Sequence, residues 1–361
     1  MVKIMDNKVN LEGILLNYYI KYDRLNILNS QIANPPRKVE YIDIYIDLYD
    51  MLKNVYSQDV YATKKLLIVS SIINLAAHLR GYYKRAYRLW SRIFLVYGEE
   101  STNSHRNFIP EFTTNNRIDA LNYEKTNAFI DSQLKVLNIL CAYIYDIYYI
   151  RKHCDFSVFT YDNIQKNNSP MNIIITKSTY AYQIPALSND NTPVYIFRPK
   201  KYKYDDTSYL INKPLVLQAY FNTLHRDNIL NMIKDINPEL LSVLMSISGN
   251  KYKYVKPLTS ATKAIYAIHN LISNGRILNQ YNSDPELIYN AIMETDLRSI
   301  INSLEFINRF KGLDLIYQHL IYINTAESMD NSWYINLEDV NTFQNINNKY
   351  FIDNPLDLNN L

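Results

Sequence analysis

IIITKSTYAYQI, residues 173–184, is the stretch on which the fold turns. Three isoleucines and a threonine make a short, continuous run of β-branched residues, the pattern of a strand buried on both faces. Lys177, Ser178 and Thr179 follow as a turn, and residues 180–184 as the start of a short helix. A buried strand that passes directly into a turn and a helix is the repeating unit of an α/β fold.

Working outward, residues 39–47 alternate apolar and polar (Val39, Tyr41, Ile42, Ile44, Ile46) and read as a strand entering the core. A long helix is expected over about 60–90. It is apolar over 66–77 and basic further on, at Arg80, Lys84, Arg85, Arg88 and Arg92. Residues 93–97 form a second short buried strand. The polar stretch 98–117 has no clear periodicity and reads as a long loop, a length at which loops often carry function. A helix over 124–142 places Ile130, Leu134, Leu137 and Cys141 on one face. Strands are expected at 145–150 and 194–197, and a helix at 155–166. Strands alternating with helices predict a mostly parallel sheet with helices on both faces.

From about residue 205 the pattern becomes helical. Asn237-Pro238-Glu239-Leu240 and Asp284-Pro285-Glu286-Leu287 each offer an N-cap residue, a proline at the first helical position and an acid in the first turn. The expected organisation is an N-terminal helical arm over 1–36, an α/β core over 37–235, a helical region over 236–339 and an Asn- and Asp-rich tail over 340–361. A chain with only 6 glycines should keep them where the backbone demands them, and Gly98 and Gly249 are candidates for positive φ or close approach.

Composition sets the outer bounds. In 361 residues, 48% hydrophobic content supports a full core, and a net charge of +3 is too small to signal nucleic-acid binding except through local patches. The 34 tyrosines, with abundant Asn and Ile, have two readings. One is an A/T-rich genome such as that of a phage or another virus; the other is an aromatic surface for interfaces or base stacking. Cys141 and Cys154 fit neither a disulfide framework nor a zinc pattern and read as buried free thiols. The N-terminus lacks the shape of a signal peptide, and the longest apolar run is too short to span a bilayer. These features place the chain in a host cytoplasm or a virion, neither secreted nor in a membrane.

Four segments, taken together, carry a family likeness: IYIDLYDML over 44–52; FLVYGEESTNSHRNFIPEFTTNNR over 94–117; the opening stretch with VYIFRPK over 194–200; and 237–272, which begins NPELLSVLMSISGNK. Their order resembles the flap-endonuclease and 5′-3′ exonuclease family. The resemblance implies an α/β, PIN-like (5′-nuclease-like), mostly parallel sheet flanked by helices, followed by a helical region with a helix–three-turn–helix-like segment. It also implies a centre that holds two divalent ions, such as Mg²⁺, about 4 Å apart on a cluster of carboxylates. Matched position by position, Asp47 is retained. The acid expected after the second strand falls on Tyr97, with Glu99 and Glu100 close by. The acidic helix motif falls on residues 159–162 and leaves only Asp162, the aspartate pair falls on Ser178 and Tyr180, and the last aspartate falls on Asn250. Ser, Tyr and Asn are weak donors and bring no compensating charge. The resemblance therefore implies a degenerate site. Asp47, Glu99 and Asp162 are its residual catalytic candidates, and the only metal position left would be a weak Mg²⁺ site at Asp47 and Asp162; otherwise there is no cofactor.

Basic residues interleaved with aromatics supply the binding candidates: Arg80, Lys84, Arg85 and Arg88; Arg198, Lys200, Lys201 and Lys203; and Lys251, Lys253, Lys256 and Lys263 of the helix–three-turn–helix-like segment. The six histidines show no metal-ligand spacing, and His105 in the long polar stretch is the one to follow. Three roles are expected in descending order: a degenerate nuclease-like protein that binds nucleic acid, with DNA as the named partner, or scaffolds an assembly; a virion or replication-complex component without a nucleic-acid role that docks proteins through its arm, tail or aromatic surface; and an active metal-dependent 5′-3′ exonuclease or flap endonuclease.

Overall fold

The centre of the molecule is strand β1, Tyr41–Asp47. The structure is a computed structural model and describes residues 41–49, 90–98, 103–110, 134, 137–138, 141, 146–152, 154–167, 169–189, 192–197, 210–221, 227–251, 253 and 255–326. β1 pairs in parallel with β2, Trp90–Gly98, on one side and β4, Asn172–Ile175, on the other. β3, Ile147–Lys152, and β5, Val194–Phe197, extend the parallel sheet, and a short β6, Leu210–Ile211, closes it antiparallel to β5. The order is β3-β2-β1-β4-β5-β6. This is the mostly parallel sheet expected from the alternation of elements.

β1 does not alternate between core and solvent. Ile42, Asp43, Ile44, Tyr45 and Ile46 are all buried, because a parallel sheet covered by helices hides both faces of its central strand. Burying Asp43 requires a partner, and its register neighbour Arg92 supplies one. Arg92 Nε and Nη2 donate to the two carboxylate oxygens at 2.7 and 2.8 Å. Arg92 is therefore part of the sheet and not the end of a basic helix, and β2 is longer than the expected 93–97. Three rings in register, Tyr45, Phe94 and Tyr148, stack across β1, β2 and β3 with centroids 4.9 and 5.3 Å apart. Tyr148 and Tyr266 are exposed aromatic side chains.

The stretch 98–117 contains a helix, α1, Asn103–Phe108, where a loop was expected. His105 and Ile109 are buried, so tertiary docking fixes α1 without any amphipathic repeat in its sequence. α2, Phe156–Asn167, follows β3, and α3, Gln183–Leu187, follows β4. Of the residues expected over 124–142, Leu134, Leu137 and Cys141 are helical and buried. Cys141 and Cys154 are free and buried.

The C-terminal half is helical: α4, Val216–Tyr220; α5, Asp227–Asp235; α6, Leu241–Ser248; α7, Ala261–Ser273; α8, Pro285–Ile292; α9, Ser303–Leu313; and α10, Leu315–Ala326. Both expected helix starts are capped. Asn237 Oδ1 accepts from Glu239 N at 3.0 Å, and Asp284 Oδ1 accepts from Glu286 N and Leu287 N at 2.9 and 3.1 Å. One hydrophobic core runs through both halves, from Ile174 and Tyr182 to Leu244, Ile268 and Phe310. The arm over 1–36, the helix over 60–89 and the tail over 340–361 lie outside the described residues.

Gly98 and Gly249 sit where the backbone demands glycine. A Cβ on Gly98 would lie 2.7 Å from the Cys154 carbonyl oxygen, so β2 can end against the residues that follow β3. Gly249 ends α6 at φ 72°, ψ 174°, a region open almost only to glycine, and a Cβ there would lie 2.6 Å from Pro257 N. Gly249→Ala is expected to destabilise the protein by roughly 2 kcal/mol, whereas Gly275→Ala, at φ 67° with open space around it, is expected to cost less. Urea unfolding of the two variants measures the difference.

Candidate functional site at the carboxyl edge of the sheet

Parallel strands deliver their carboxyl ends to one edge of the sheet, the usual place for a site in an open α/β fold. At that edge lie Asp47 from β1, Tyr97 from β2, Asp155 just beyond β3, and Thr176, Ser178 and Tyr180 just beyond β4. Asp47 is 5% exposed, and its Oδ2 accepts a hydrogen bond from Thr176 Oγ1 at 2.8 Å. The same hydroxyl oxygen accepts from Ser178 N at 3.0 Å, so Thr176 ties the Asp47 carboxylate to the turn that follows β4. Tyr97 is buried beneath the Arg151 guanidinium, which lies 5.7 Å from its ring centre.

Asp162, on α2, is engaged elsewhere. Its Oδ2 accepts from Lys166 Nζ at 2.9 Å, and its Oδ1 lies 2.9 Å from His319 Nε2 on α10. Thr160 is fully buried, and its hydroxyl has no hydrogen-bond partner among the described residues. Among those residues, no three His, Cys, Asp or Glu side chains converge to hold a metal ion.

The buried polar contacts at this edge centre on two residues that local patterns do not single out as partners. Lys253 Nζ pairs with Asp155 Oδ2, and both side chains are nearly excluded from solvent. The other carboxylate oxygen of Asp155 accepts from Ser157 N at 2.7 Å and so caps the start of α2. Lys253 Nζ also lies 5.8 Å from the centre of the Tyr180 ring. His105 meets that ring edge-on, with centroids 5.6 Å apart, and its Nδ1 donates to the Gly312 carbonyl at 2.7 Å. The four segments that carry His105, Asp155, Tyr180 and Lys253 thus meet in one dry cluster.

The geometry corrects one expectation directly: Lys253 is not on the basic surface. The turn after α6 aims it inward. Asn250 and Val255 exchange backbone hydrogen bonds, and Asn250 Oδ1 accepts from Lys253 N at 3.1 Å. Asn250 Oδ1 also accepts from Thr179 Oγ1 at 3.1 Å, which joins this turn to the one after β4. Lys251, Lys256 and Lys263 are exposed, as expected. Lys263 borders a groove of about 680 Å³ with Tyr266, Asn270, Asn274 and Arg276. Arg80, Lys84, Arg85, Arg88, Glu99, Glu100, Arg198, Lys200, Lys201 and Lys203 lie outside the described residues. Asp155 was expected as the first residue of a helix over 155–166 and instead caps it; its ion pair was not legible, because the partner is 98 residues away.

No family model matches this chain, and no curated protein matches it. Solved structures do. The chain is similar to the D15 protein of bacteriophage T5 co-crystallised with metal ions, at a TM-score of 0.50 and 10% identity, over 84% of this chain and 97% of that one. It is equally similar to a zinc-bound T5 5′-exonuclease structure, at a TM-score of 0.51 and 10% identity over the same shares. The fold is thus the PIN-like, 5′-nuclease fold: a mostly parallel sheet flanked by helices, with a helical region following. No helix among the described residues is long and apolar enough to cross a membrane.

The buried cluster makes stability depend on pH. Burial pulls the His105 imidazole down to about 4 from 6.5, with Asp155 and the Gly312 carbonyl opposing, so it is neutral in the folded protein at pH 7. The unfolded chain therefore binds the proton first, and the stabilising contribution is present above 6.5 and lost as pH falls towards 4. Burial alone would raise the Asp155 carboxyl, but Lys253 and then His105 outweigh it and hold it below 3.8, so its contribution is lost only at still lower pH. The expected outcome is a fall in unfolding free energy of about 3 kcal/mol between pH 6.5 and 4 that His105→Gln largely removes. Urea titrations across that range measure it.

Proposed function

We propose that this chain is a catalytically degenerate 5′-nuclease-like protein, of viral origin, that uses an inherited fold to bind DNA. One observation carries the reading. At the edge where such a fold would gather carboxylates around divalent ions, this chain pairs a buried lysine, Lys253, with a buried aspartate, Asp155. A two-ion centre needs several hard, anionic oxygens at one place. Here Asp47 is tied to Thr176 and Asp162 to Lys166 and His319, and Ser178, Tyr180 and Asn250 bring no charge. Among the described residues this set does not fit a pair of Mg²⁺ ions.

DNA binding is supported by the exposed Lys251, Lys256 and Lys263 on the helix–three-turn–helix-like segment. Arg198, Lys200, Lys201 and Lys203 extend that patch in this proposal, with Arg80, Lys84, Arg85 and Arg88 as a second one. Viral origin rests on the Tyr-, Asn- and Ile-rich, Gly-poor composition. A second reading, a protein-docking component of a virion or replication complex, draws on Leu278, Leu287, Ile300 and Leu304, which are 44–68% exposed on the helical region.

Fluorescence anisotropy with labelled flap and duplex DNA decides between these roles. Affinity is expected to fall steeply with salt. The triple variant Lys251→Ala, Lys256→Ala, Lys263→Ala is expected to bind more weakly, with a log–log salt slope shallower by about 0.9 for each phosphate it no longer neutralises. Absence of binding at low salt would remove the DNA role and leave the docking role. Incubation with Mg²⁺ or Mn²⁺ is expected to give no cleavage; metal-dependent cleavage abolished by Asp47→Ala would overturn the degeneracy.

A further inference from the structure

We infer that Lys253 is a resident cation: its ammonium supplies, through a covalent tether, the positive charge that holds the helical region onto the sheet edge, and that junction requires no divalent ion. The observation behind it is a mismatch between the chain and a metal-holding centre, visible in charge as well as in residue type.

Asp155 lies three residues beyond β3, pressed against the end of β2 where Gly98 has no Cβ to keep it away. Its carboxylate is nearly excluded from solvent. A buried carboxylate is tolerated only when a cation and hydrogen-bond donors surround it. Lys253 provides the cation and Ser157 N a donor. One ammonium against one carboxylate leaves the pair neutral. A divalent ion set against Asp155 alone would leave a net positive charge in the core beside the Tyr180 ring, and among the described residues no three His, Cys, Asp or Glu side chains converge to hold one.

The tether also explains the turn that carries it. Gly249 turns the chain at positive φ, and Asn250 clasps Lys253 N on one side and Thr179 Oγ1 on the other, so the lysine is delivered to the space between the β3 and β4 turns. An ammonium is a compact point charge on a flexible stem and suits a narrow dry space better than a planar guanidinium does. Lys253 is therefore a positioning residue that joins two parts of the fold. The inference rests on the degenerate reading only in treating this edge as the former metal position.

The test reads stability, not DNA binding or cleavage, so it can fail without that reading failing, and the reverse. Thermal unfolding of the full chain is followed by circular dichroism with millimolar Mg²⁺, with Mn²⁺ and with a chelator. The native chain is expected to melt at the same temperature in all three, and a rise with Mg²⁺ or Mn²⁺ that the chelator reverses would overturn the inference. Lys253→Met, which keeps the stem and removes the charge, is expected to lower Tm by on the order of 10 °C. Adding Asp155→Asn, which keeps a cap and removes the unpaired charge, is expected to recover most of that loss. If Lys253→Met does not fold, the double variant is expected to fold where the single does not. A Lys253→Met variant as stable as the native chain, or a double variant no better than the single, would overturn the inference.

Discussion

A lysine and an aspartate that both leave water must leave it together, and much of this structure is arranged around that requirement. Removing either partner strands a charge in a medium that solvates it poorly, at a cost of several kcal/mol. Asp155 is fixed by its place at the mouth of α2, and Lys253 by a turn that glycine and Asn250 shape. Once the pair is formed, its neighbours have little freedom. The Tyr180 ring lies near the ammonium, His105 packs edge-on against that ring, and Thr179 reaches across to Asn250. The sheet and the helices after residue 237 are joined by this polar knot as well as by the continuous apolar core.

A parallel sheet always collects strand ends, turns and helix starts at one edge, and the polar groups there must be satisfied somehow. Metal ions, ordered water and internal ion pairs are three solutions with different consequences. The first two leave a reachable centre; the third fills it. Asp47, at the end of the central strand, is satisfied at least in part internally, by the Thr176 hydroxyl that donates to it. The same scaffold can carry different chemistry or none, because chemistry belongs to the site and not to the fold.

The five parallel strands were legible in the sequence because they are short apolar runs rich in β-branched and aromatic residues, whereas the two-residue β6 in the region read as helical was not; the Pro-Glu helix starts were legible because capping is local. What failed to show was set by distant residues. α1 has six mostly polar residues and no apolar repeat; it is a helix because His105 and Ile109 dock on the C-terminal helices. Arg92 reads as one more base in a basic run, yet its register partner is the buried Asp43. Lys253 sits in a lysine-rich alternation that looks solvent-facing in every local window, yet the Asn250 turn aims it inward to a partner 98 residues earlier. At the site, Asp47, Ser178 and Tyr180 could be placed near strand ends from local pattern, but the pairing of Asp155 with Lys253 could not.

The bond from His105 to the Gly312 carbonyl spans 207 residues, and that separation has a kinetic side. At synthesis rates of roughly 5–20 residues per second, about 10–40 s pass between the making of α1 and the making of the carbonyl that receives it. During that interval α1 can meet Tyr180 but not its C-terminal dock, and the face of α2 that Tyr161 and Asp162 turn towards His319 is uncovered as well. Contacts of such long range also slow folding of the released chain. While residues 168–312 are being made, the nascent protein therefore carries both segments without their C-terminal partners, a state that a holding chaperone or an early assembly partner would meet before the finished fold does.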